Sequence, residues 1–552
     1  MDRITVYRAR KVVTMDPGRP VAEAVAVVDG KVLSTGTLDS MRPWLSRYDH
    51  VVDDTLRDKV ILPGLIDPHT HFAMSAGFLA LHYIGPIESP GPHGINPGVR
   101  THDEVLAKLR SAHREETDAA KPLVAWGLDP ALQGGHLHRD ELDAISTERP
   151  MWVISYAPHF VYVNSAALDR IGVKQDTAVH GVQRYPDGRL NGVFVEIEAT
   201  RLALAGMTAE TSKGGGAAGL RRMADTARRA GVTTTAEMVF GWTDFDLEWA
   251  MHAEAVNTPS FPLRMALVPL ENPLFKKHGA KSAEFLQGLQ QRDTDKLFFH
   301  GVKFLSDGSF PAMSLRLNFP GYLDGGNGLR NDVPWEELHE RMLPFWKAGI
   351  QIHCHANGDE AIDASLNALA RLQALHPRFD HRFTIEHYCI STPEQARRLK
   401  SLGGVASVNN YFVHYRSQLH SEHAFGPDRS EAIARLGSLE REGVVFALHS
   451  DFSLVVVPMH PLTAAWVAVN RLALDGETIM APGERIGVAR AMRAITIDAA
   501  YVLGLERQVG SLEPGKFADF AILEQDPFEV DPLALKDIRI WGTALSGRLQ
   551  PA

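Results

Sequence analysis

The sequence predicts an α/β fold: a (β/α)8 TIM barrel with a large insertion after its first strand, plus a small β-sandwich domain built from both termini. The first observation behind this prediction is a repeated order of amphipathic helix, glycine and short β-branched strand, which is typical of βα units around a parallel sheet. The second is a set of eight candidate parallel strands, the number that a closed barrel contains. The third is strand-like sequence at both chain ends.

Both chain ends have the sequence of short strands separated by turns. Residues 25–33 carry an Asp-Gly pair at positions 29 and 30, a favourable two-residue hairpin turn between apolar runs. Residues 517–523 form another apolar run after a glycine turn. We therefore assign residues 1–62 and 482–552 to one composite β-sandwich domain, with two separate terminal caps as the alternative.

The eight strand candidates alternate with helices that end at glycine, the usual left-handed stop of a helix. Helical sequence over 432–442, for example, ends at Gly443 and leads into a strand. Thr101 with Glu104 predicts a capping box at the start of another helix. The strand candidates lie near residues 65–71, 232–237, 263–268, 300–305, 350–355, 383–387, 405–409 and 444–451.

The gap between the first two candidate strands is far too long for one helix. We assign residues 63–481 to the barrel and expect an insertion over about 72–215 with strands of its own. A lid that faces the substrate and a packed-on appendage are both compatible with this insertion.

Composition excludes several classes of protein. The 552 residues are 45% hydrophobic and 22% charged, which is typical of a globular chain with a sizeable core. Because 57 basic residues stand against 67 acidic ones, we expect no nucleic-acid partner and no anionic membrane. Two cysteines and the absence of a secretory signal predict a cytoplasmic protein. We expect a small-molecule substrate and, as the default oligomer, a homodimer.

His69 and His71 form the sharpest local signal. On a strand, residues two apart project from one face, so both imidazoles can bind one divalent metal. A lone His-x-His pair is a weak signal, but this pair ends the first candidate strand after an apolar run.

Four further candidate strands end in a side chain that can bind metal: Lys303, His355, His387 and Asp451. Barrel enzymes place catalysis at the carboxyl ends of the strands, so we expect these side chains to meet at that end of the barrel. His353 is the alternative to His355, because it lies on the same strand face one step deeper.

The sequence resembles the amidohydrolase superfamily, and most closely the branch of N-substituted formamide deformylase. The stretches that carry this resemblance span nearly the whole chain. They are LPGLIDPHTH (62–71), VNSAAL (163–168), GVTTTAEM (231–238), VKFLSDGS (302–309), HANGD (355–359), IEH (385–387), SD (450–451) and GSLEPGKFADFAIL (510–523).

The resemblance implies a centre of two divalent metal ions, with zinc as the default and manganese, iron or nickel as alternatives. It assigns His69, His71 and Asp451 to the first ion and His355 and His387 to the second. Lys303, carboxylated on its amine by carbon dioxide, would bridge both ions. The ions would share a hydroxide that attacks the substrate carbonyl, and Asp451 would act as general base and then general acid.

Carboxylation of Lys303 is chemically coherent. Burial lowers a lysine pKa and exposes the neutral amine to carbon dioxide, and the carbamate is an anionic oxygen ligand. The alternative is an ordinary salt bridge from Lys303 to Asp307 or Glu237.

The predicted function is therefore a metal-dependent hydrolase of a non-peptide carbon–nitrogen bond in an amide, formamide or cyclic amide. A mononuclear-metal deaminase of an amidine-like ring is the first alternative, although such enzymes keep a glutamate after the third histidine that residues 357–360 do not place well. A catalytically inactive scaffold is the second, although this sequence keeps every metal ligand that the resemblance implies.

Substrate contacts are predicted for His159, Trp126 and Asn409. The sequence also departs from the resembled branch next to Asp451. His449 stands where glycine is common, and residues 455–457 are apolar where a more polar stretch is usual. These changes adjoin the predicted base and are expected to reshape the substrate pocket.

Overall fold

The protein has a mixed α/β fold that divides into two compact units. The first unit comprises Met1–Thr70, Ala227–Ser450 and His460–Ala552, and the second comprises His71–Thr226 and Asp451–Met459. The computed structural model describes residues 3–91, 94–118, 120–156, 160–207, 215–242, 244–331, 333–452 and 458–552.

The strands are named in chain order. They are β1 Ile4–Val13, β2 Val21–Val28, β3 Lys31–Gly36, β4 His50–Asp53, β5 Val60–Pro63, β6 Leu65–Thr70, β7 His82–Tyr83, β8 Ser89–Gly91, β9 Gly94–Asn96, β10 Leu123–Leu128, β11 Met151–Ser155, β12 Phe160–Val163, β13 Val182–Arg184, β14 Leu190–Val195, β15 Val232–Phe240, β16 Arg264–Pro269, β17 Leu297–Phe299, β18 Val302–Leu305, β19 Ile352–Ala356, β20 Thr384–His387, β21 Val405–Val408, β22 Phe446–Leu448, β23 Phe520–Leu523, β24 Ile540–Leu545 and β25 Arg548–Pro551.

The α-helices are named in the same way. They are α1 Leu38–Leu45, α2 Phe72–Phe78, α3 His102–Glu115, α4 Arg139–Asp143, α5 Ser165–Ile171, α6 Glu196–Ala205, α7 Gly216–Arg229, α8 Phe245–Val256, α9 Glu271–His278, α10 Ser282–Leu289, α11 Leu338–Lys347, α12 Asp359–Leu375, α13 Pro393–Ser401, α14 Tyr411–His420, α15 Pro427–Ser430, α16 Leu436–Arg441, α17 Pro461–Asn470, α18 Val488–Ala494 and α19 Ile497–Val502.

Strands from both termini form one mixed sheet in the first unit. Its order is β25-β24-β23-β5-β1-β2-β3, and β4 pairs with β1. Asp29 and Gly30 both have positive φ angles between β2 and β3, which confirms the predicted hairpin turn. One face of the sheet packs through Val25, Val27 and Phe520 into an apolar cluster, and the other carries Ala24 and Ala26 against α1. Assembly of this sheet into a sandwich domain stays a prediction.

Two parallel sheets follow the terminal sheet in the first unit. One has the order β17-β16-β15-β6 and the other β18-β19-β20-β21-β22. All eight predicted strands are present, and β17 is an additional short strand. The predicted strand over 300–305 begins at Val302, because Gly301 has a positive φ of 67° and interrupts the extended backbone.

The helices follow the predicted order of helix, glycine and strand, with one correction. Thr101 and Glu104 form the predicted capping box at the start of α3. The single helix predicted over 432–442 is wrong at its beginning: α16 starts at Leu436, because Ala434 takes a positive φ of 51° that no α-helix contains.

The C-terminal segment is tied to the start of the parallel sheets. Gly64, between β5 and β6, donates its backbone N–H to the carbonyl oxygen of Asp519 at 2.9 Å. A Cβ on Gly64 would stand 1.9 Å from the hydroxyl of Thr233, so only glycine fits here. The carboxylate of Asp519 accepts from the guanidinium of Arg264 on β16 at 2.6 Å, and both side chains are buried.

The second unit contains a sheet with the order β13-β14-β12-β11-β10-β7. Its core includes Leu123 and Ala125 of β10, Met151 and Val153 of β11, and Tyr162 of β12. Among the described residues, no helix combines the length and apolar character needed to cross a membrane.

Candidate active site

His69, the next-to-last residue of β6, contacts a buried carboxylate from β20. Its Nδ1 lies 2.6 Å from Oε2 of Glu386, and Nδ1 of His353 lies 2.7 Å from the other carboxylate oxygen. All three side chains are at most 1% exposed. One carboxylate therefore links the end of the first predicted barrel strand to β19 and β20.

Glu386 fixes the tautomer of both imidazoles. Burial raises the pKa of Glu386, but the charge of Lys303 and the hydrogen bond from His353 lower it to about 2, so the carboxylate is ionised. An ionised carboxylate only accepts hydrogen bonds, and Nδ1–H of each ring must therefore donate. In a neutral ring that donates from Nδ1, the lone pair lies on Nε2, the form in which histidine binds metal.

His387 ends β20 beside two other predicted ligands. Its ring centroid lies 4.7 Å from that of His69 and 4.5 Å from that of His355. Burial, followed by the charges of His355 and His69, holds the pKa of His387 well below its usual range. His387 is therefore a neutral imidazole, as a metal ligand must be.

His355 points its Nε2 toward the loop after β18. This nitrogen lies 3.1 Å from the carbonyl oxygen of Gly308 and 3.0 Å from the amide nitrogen of Asn357. Asp307, which is 3.6 Å away, has a pKa raised to about 7 by burial, although three backbone N–H groups act to lower it. His355 adjoins His387 but lies outside the tighter histidine group described below.

Lys303 of β18 is 1% exposed, and its Cα pairs with that of His353 on β19. Its charge lowers the pKa values of Glu386 and His387, so the amine lies in the same electrostatic environment as the histidines.

Two residues of this site were not predicted as functional: Glu386 and His449. Glu386 carried a signal, because a glutamate within the apolar IEH strand next to a candidate ligand needs a buried partner. His449 also showed a signal in the sequence, because a histidine stands there where glycine is usual in the resembled branch. The ligand atoms of His69, His387 and His449 lie within 4.8 Å of one another, a spacing suited to one metal ion.

The backbone is unusual at two predicted ligands. His387 has a φ of 73° and Asp451 a φ of 57°, both in the left-handed region that disfavours non-glycine residues. Such conformations persist where the surrounding structure enforces them, and they cluster at functional sites.

In the second unit, His71 and Asp451 form a pair. Nε2 of His71 lies 2.9 Å from Oδ1 of Asp451, and the backbone N–H of His71 donates to the carbonyl oxygen of Phe452 at 2.7 Å. Both side chains are buried, and together they offer an imidazole and a carboxylate, a donor pair that binds divalent metals.

The predicted substrate contacts have different positions. Trp126 is 1% exposed and packs against Phe78, Tyr83 and Phe452 in the second unit. Asn409 is buried in the first unit and donates its side-chain amide to the carbonyl oxygen of Ser450 at 3.2 Å. His159 lies outside the described residues, as do residues 455–457.

Fold and site together define a metal-dependent hydrolase. Residues 51–550 match the profile of the amidohydrolase family, and the chain belongs to this family. It is accordingly a hydrolase of carbon–nitrogen bonds other than peptide bonds.

Three similar proteins span almost the whole chain. Protein LONG AFTER FAR-RED 3 of Arabidopsis thaliana is 28% identical over 94% of this chain and 86% of its own length. N-substituted formamide deformylase of Arthrobacter pascens is 24% identical over 97% of this chain and 96% of its own. The crystal structure of an uncharacterized metal-dependent hydrolase from Pyrococcus horikoshii OT3 superposes with a TM-score of 0.72 at 19% identity, covering 96% of this chain and 99% of that one.

Proposed function

We propose that this protein hydrolyses an amide, formamide or cyclic amide of a small organic molecule with the help of two divalent metal ions. The observation that carries the proposal is the group of buried imidazoles around His69 and His387, in which His69 is bound to the ionised Glu386. N-substituted formamides are the first substrates to consider, because a relative that matches nearly the full chain is named for their deformylation.

The donor set fits divalent metal. We propose His69, His71, His355, His387 and Asp451 as ligands, with Lys303 carboxylated as the bridge. Imidazole nitrogens and carboxylate oxygens favour zinc among the common divalent ions. When bound, the ions would activate a water molecule and polarise the substrate carbonyl.

Asp451 is proposed as the proton carrier. Its carboxylate is held 2.9 Å from Nε2 of His71, and its side chain is buried. Asp451 would accept a proton from the attacking water and donate it to the leaving nitrogen.

Carboxylation of Lys303 and metal binding are proposed to occur together. The carbamate replaces a positive charge by a negative one beside Glu386, whose pKa now depends on that positive charge. Bound divalent ions would offset the added negative charge. A metal-free chain is therefore expected to carry an unmodified Lys303.

We also propose that the two parallel sheets form one (β/α)8 barrel. The strands follow one another in chain order, and Leu270 bridges to Lys303 between the two sheets. Ser450, after the last strand, donates its backbone N–H and its hydroxyl to Asp67 of β6 at 3.1 and 2.5 Å. These contacts support closure between the first and last barrel strands.

The test combines metal analysis with a substrate screen. Purified protein is loaded with zinc, bound ions per chain are counted, and N-substituted formamides, amides and cyclic amides are assayed for formate, amine or ammonia. We expect two ions and turnover of one of these classes, which Asp451→Asn lowers strongly. One ion with ammonia release from an amidine-like ring would identify the deaminase, and a chain that binds no metal would indicate a scaffold.

A further inference from the structure

Asn409 lies directly after β21, at the carboxyl end of a parallel sheet in the first unit. Its backbone N–H donates to the carbonyl oxygen of His387 at 3.3 Å, which extends the pairing of β21 with β20 by one residue. Two residues earlier, Ser407 pairs with Glu386. Because residues two apart on a strand project from one face, Asn409 lies on the sheet face that carries Glu386 and, through its hydrogen bond, His69.

The two ends of the Asn409 amide differ in their surroundings. Nδ2 donates to the carbonyl oxygen of Ser450 at 3.2 Å, and the reverse orientation would place two oxygen acceptors against each other. Oδ1 therefore points away from Ser450. It is buried, and it has no hydrogen-bond partner in the part of the chain that the structure describes. Most buried polar groups in proteins are paired, so this oxygen requires an explanation.

This acceptor is as deeply buried as the proposed metal ligands beside it. Asn409 and His69 are both 0% exposed, and His387 is 3% exposed. A substrate that binds at those imidazoles must therefore enter a region from which bulk water is excluded. A buried carbonyl oxygen without a donor is unfavourable in such a region, whereas an N–H group of the substrate would satisfy it.

We propose that Oδ1 of Asn409 accepts a hydrogen bond from the N–H group of the substrate, and that the enzyme therefore selects amides that carry an N–H group. This inference names the substrate class of the proposed function and rests on it. Primary amides, N-substituted formamides and cyclic amides with a free N–H belong to this class. N,N-disubstituted amides and esters lack the donor, and sites built to bind a substrate N–H reject such analogues.

The alternative is that Asn409 only holds Ser450 in place. Its loss would then slow the hydrolysis of every substrate alike. The two roles use opposite ends of one side chain, so two substitutions separate them. Asn409→Leu has a similar size and removes both the donor and the acceptor, whereas Asn409→Asp removes the donor to Ser450 and keeps an acceptor oxygen.

The experiment compares two substrates that differ only at the N–H group. Zinc-loaded protein is assayed with N-butylformamide and with butyl formate, in which oxygen replaces the N–H. A different amide found in the substrate screen is paired with its own ester. The readout is the ratio of kcat/KM for the amide to kcat/KM for the ester, because a defect that both substrates share cancels in this ratio.

We expect the wild type to favour the amide by more than the relative rates of alkaline hydrolysis predict. Asn409→Leu should lower the ratio at least about tenfold, the effect of one unpaired buried group, and Asn409→Asp should keep most of it.

Asn410→Leu is the matched control. Asn410 is also 0% exposed, and its Oδ1 likewise has no partner among the described residues. Its amide, however, donates to the carbonyl oxygen of Ala464 on α17 at 2.7 Å rather than to a strand end. This variant should leave the ratio unchanged.

The inference is overturned if Asn409→Leu leaves the ratio at its wild-type value, or if Asn409→Asp lowers it as far as Asn409→Leu does. If neither variant folds, the wild type decides: a preference for the amide beyond alkaline reactivity supports the inference, and turnover in proportion to that reactivity overturns it. The proposed function survives these failures, because amide hydrolysis is still observed. A wild type that hydrolyses no amide removes the proposed function and the inference with it.

Discussion

Substitution of Glu386 by glutamine is the most direct test of the site. The wild-type carboxylate accepts two hydrogen bonds, from His69 at 2.6 Å and from His353 at 2.7 Å, in a fully buried position. Glutamine has the same shape but only one acceptor oxygen, and its amide nitrogen cannot accept from the second ring. One imidazole must therefore lose its bond or move its proton to Nε2. If that ring is His69, the proton occupies the nitrogen that would bind metal.

The expected size of the effect follows from the lost bond. A hydrogen bond to a charged group contributes about 1.5–3 kcal/mol. Since about 1.4 kcal/mol corresponds to a factor of ten, we expect zinc affinity to fall roughly 10- to 100-fold. Chelator competition measures this change, and thermal unfolding in chelator reports the accompanying loss of stability.

Glu271→Gln provides the matched control. Glu271, at 2% exposure, is also buried in the first unit and accepts two hydrogen bonds, from the guanidinium of Arg341. This variant should lose stability and keep its zinc affinity. If Glu386→Gln also keeps wild-type zinc affinity, the assignment of Glu386 as the group that orients His69 is refuted.

Asp451→Asn should lower turnover by about 10²- to 10⁴-fold with little change in unfolding temperature, and turnover near the wild-type rate would exclude Asp451 as the proton carrier. Lys303→Ala should reduce bound zinc from two ions to one per chain in elemental analysis, and mass spectrometry of metal-loaded wild type should show one added carbon dioxide. Arg264→Ala should destabilise the chain by about 3–5 kcal/mol in denaturant unfolding, because it leaves the buried carboxylate of Asp519 uncompensated. The raised pKa of Asp307, about 7, means that the folded chain keeps a proton that the unfolded chain releases near its ordinary value of 3.8. Its contribution to the free energy of unfolding is thus complete below pH 3.8 and lost as pH rises to about 7, and Asp307→Asn should remove this dependence in the metal-free protein.

The order of strands was predictable, and their ends were less so. The periodicity and glycine stops located eight of the nine strands described in the two parallel sheets, because each of these eight lies between polar or glycine positions that the sequence displays; the short β17 was not predicted. Ala434 shows the limit: its positive φ is imposed by tertiary contacts, since alanine has good helix propensity and gives no local sign of a break.

The candidate site shows a similar division. His69 and His387 were identifiable because each lies at the end of an apolar strand. A polar side chain there is unfavourable unless it is hydrogen-bonded or has a function. The link from Glu386 to two rings was not identifiable, because it joins residues from three strands whose distances are set by the sheets. His449 was noticed as a departure, but its stacking on His69 depends on how β22 and β6 are arranged in space, which no local pattern reports.

The hydrogen bond from Gly64 to Asp519 has a consequence for biosynthesis. Asp519 follows β5, Gly64 and β6 in the chain by roughly 450 residues. During translation, the strand that carries His69 therefore emerges from the ribosome long before the segment that anchors it. Native pairing at this long separation is slow, and metal capture should follow the synthesis of Asp519. Nascent chains that stall before Asp519 are expected to be poor zinc binders and good chaperone substrates.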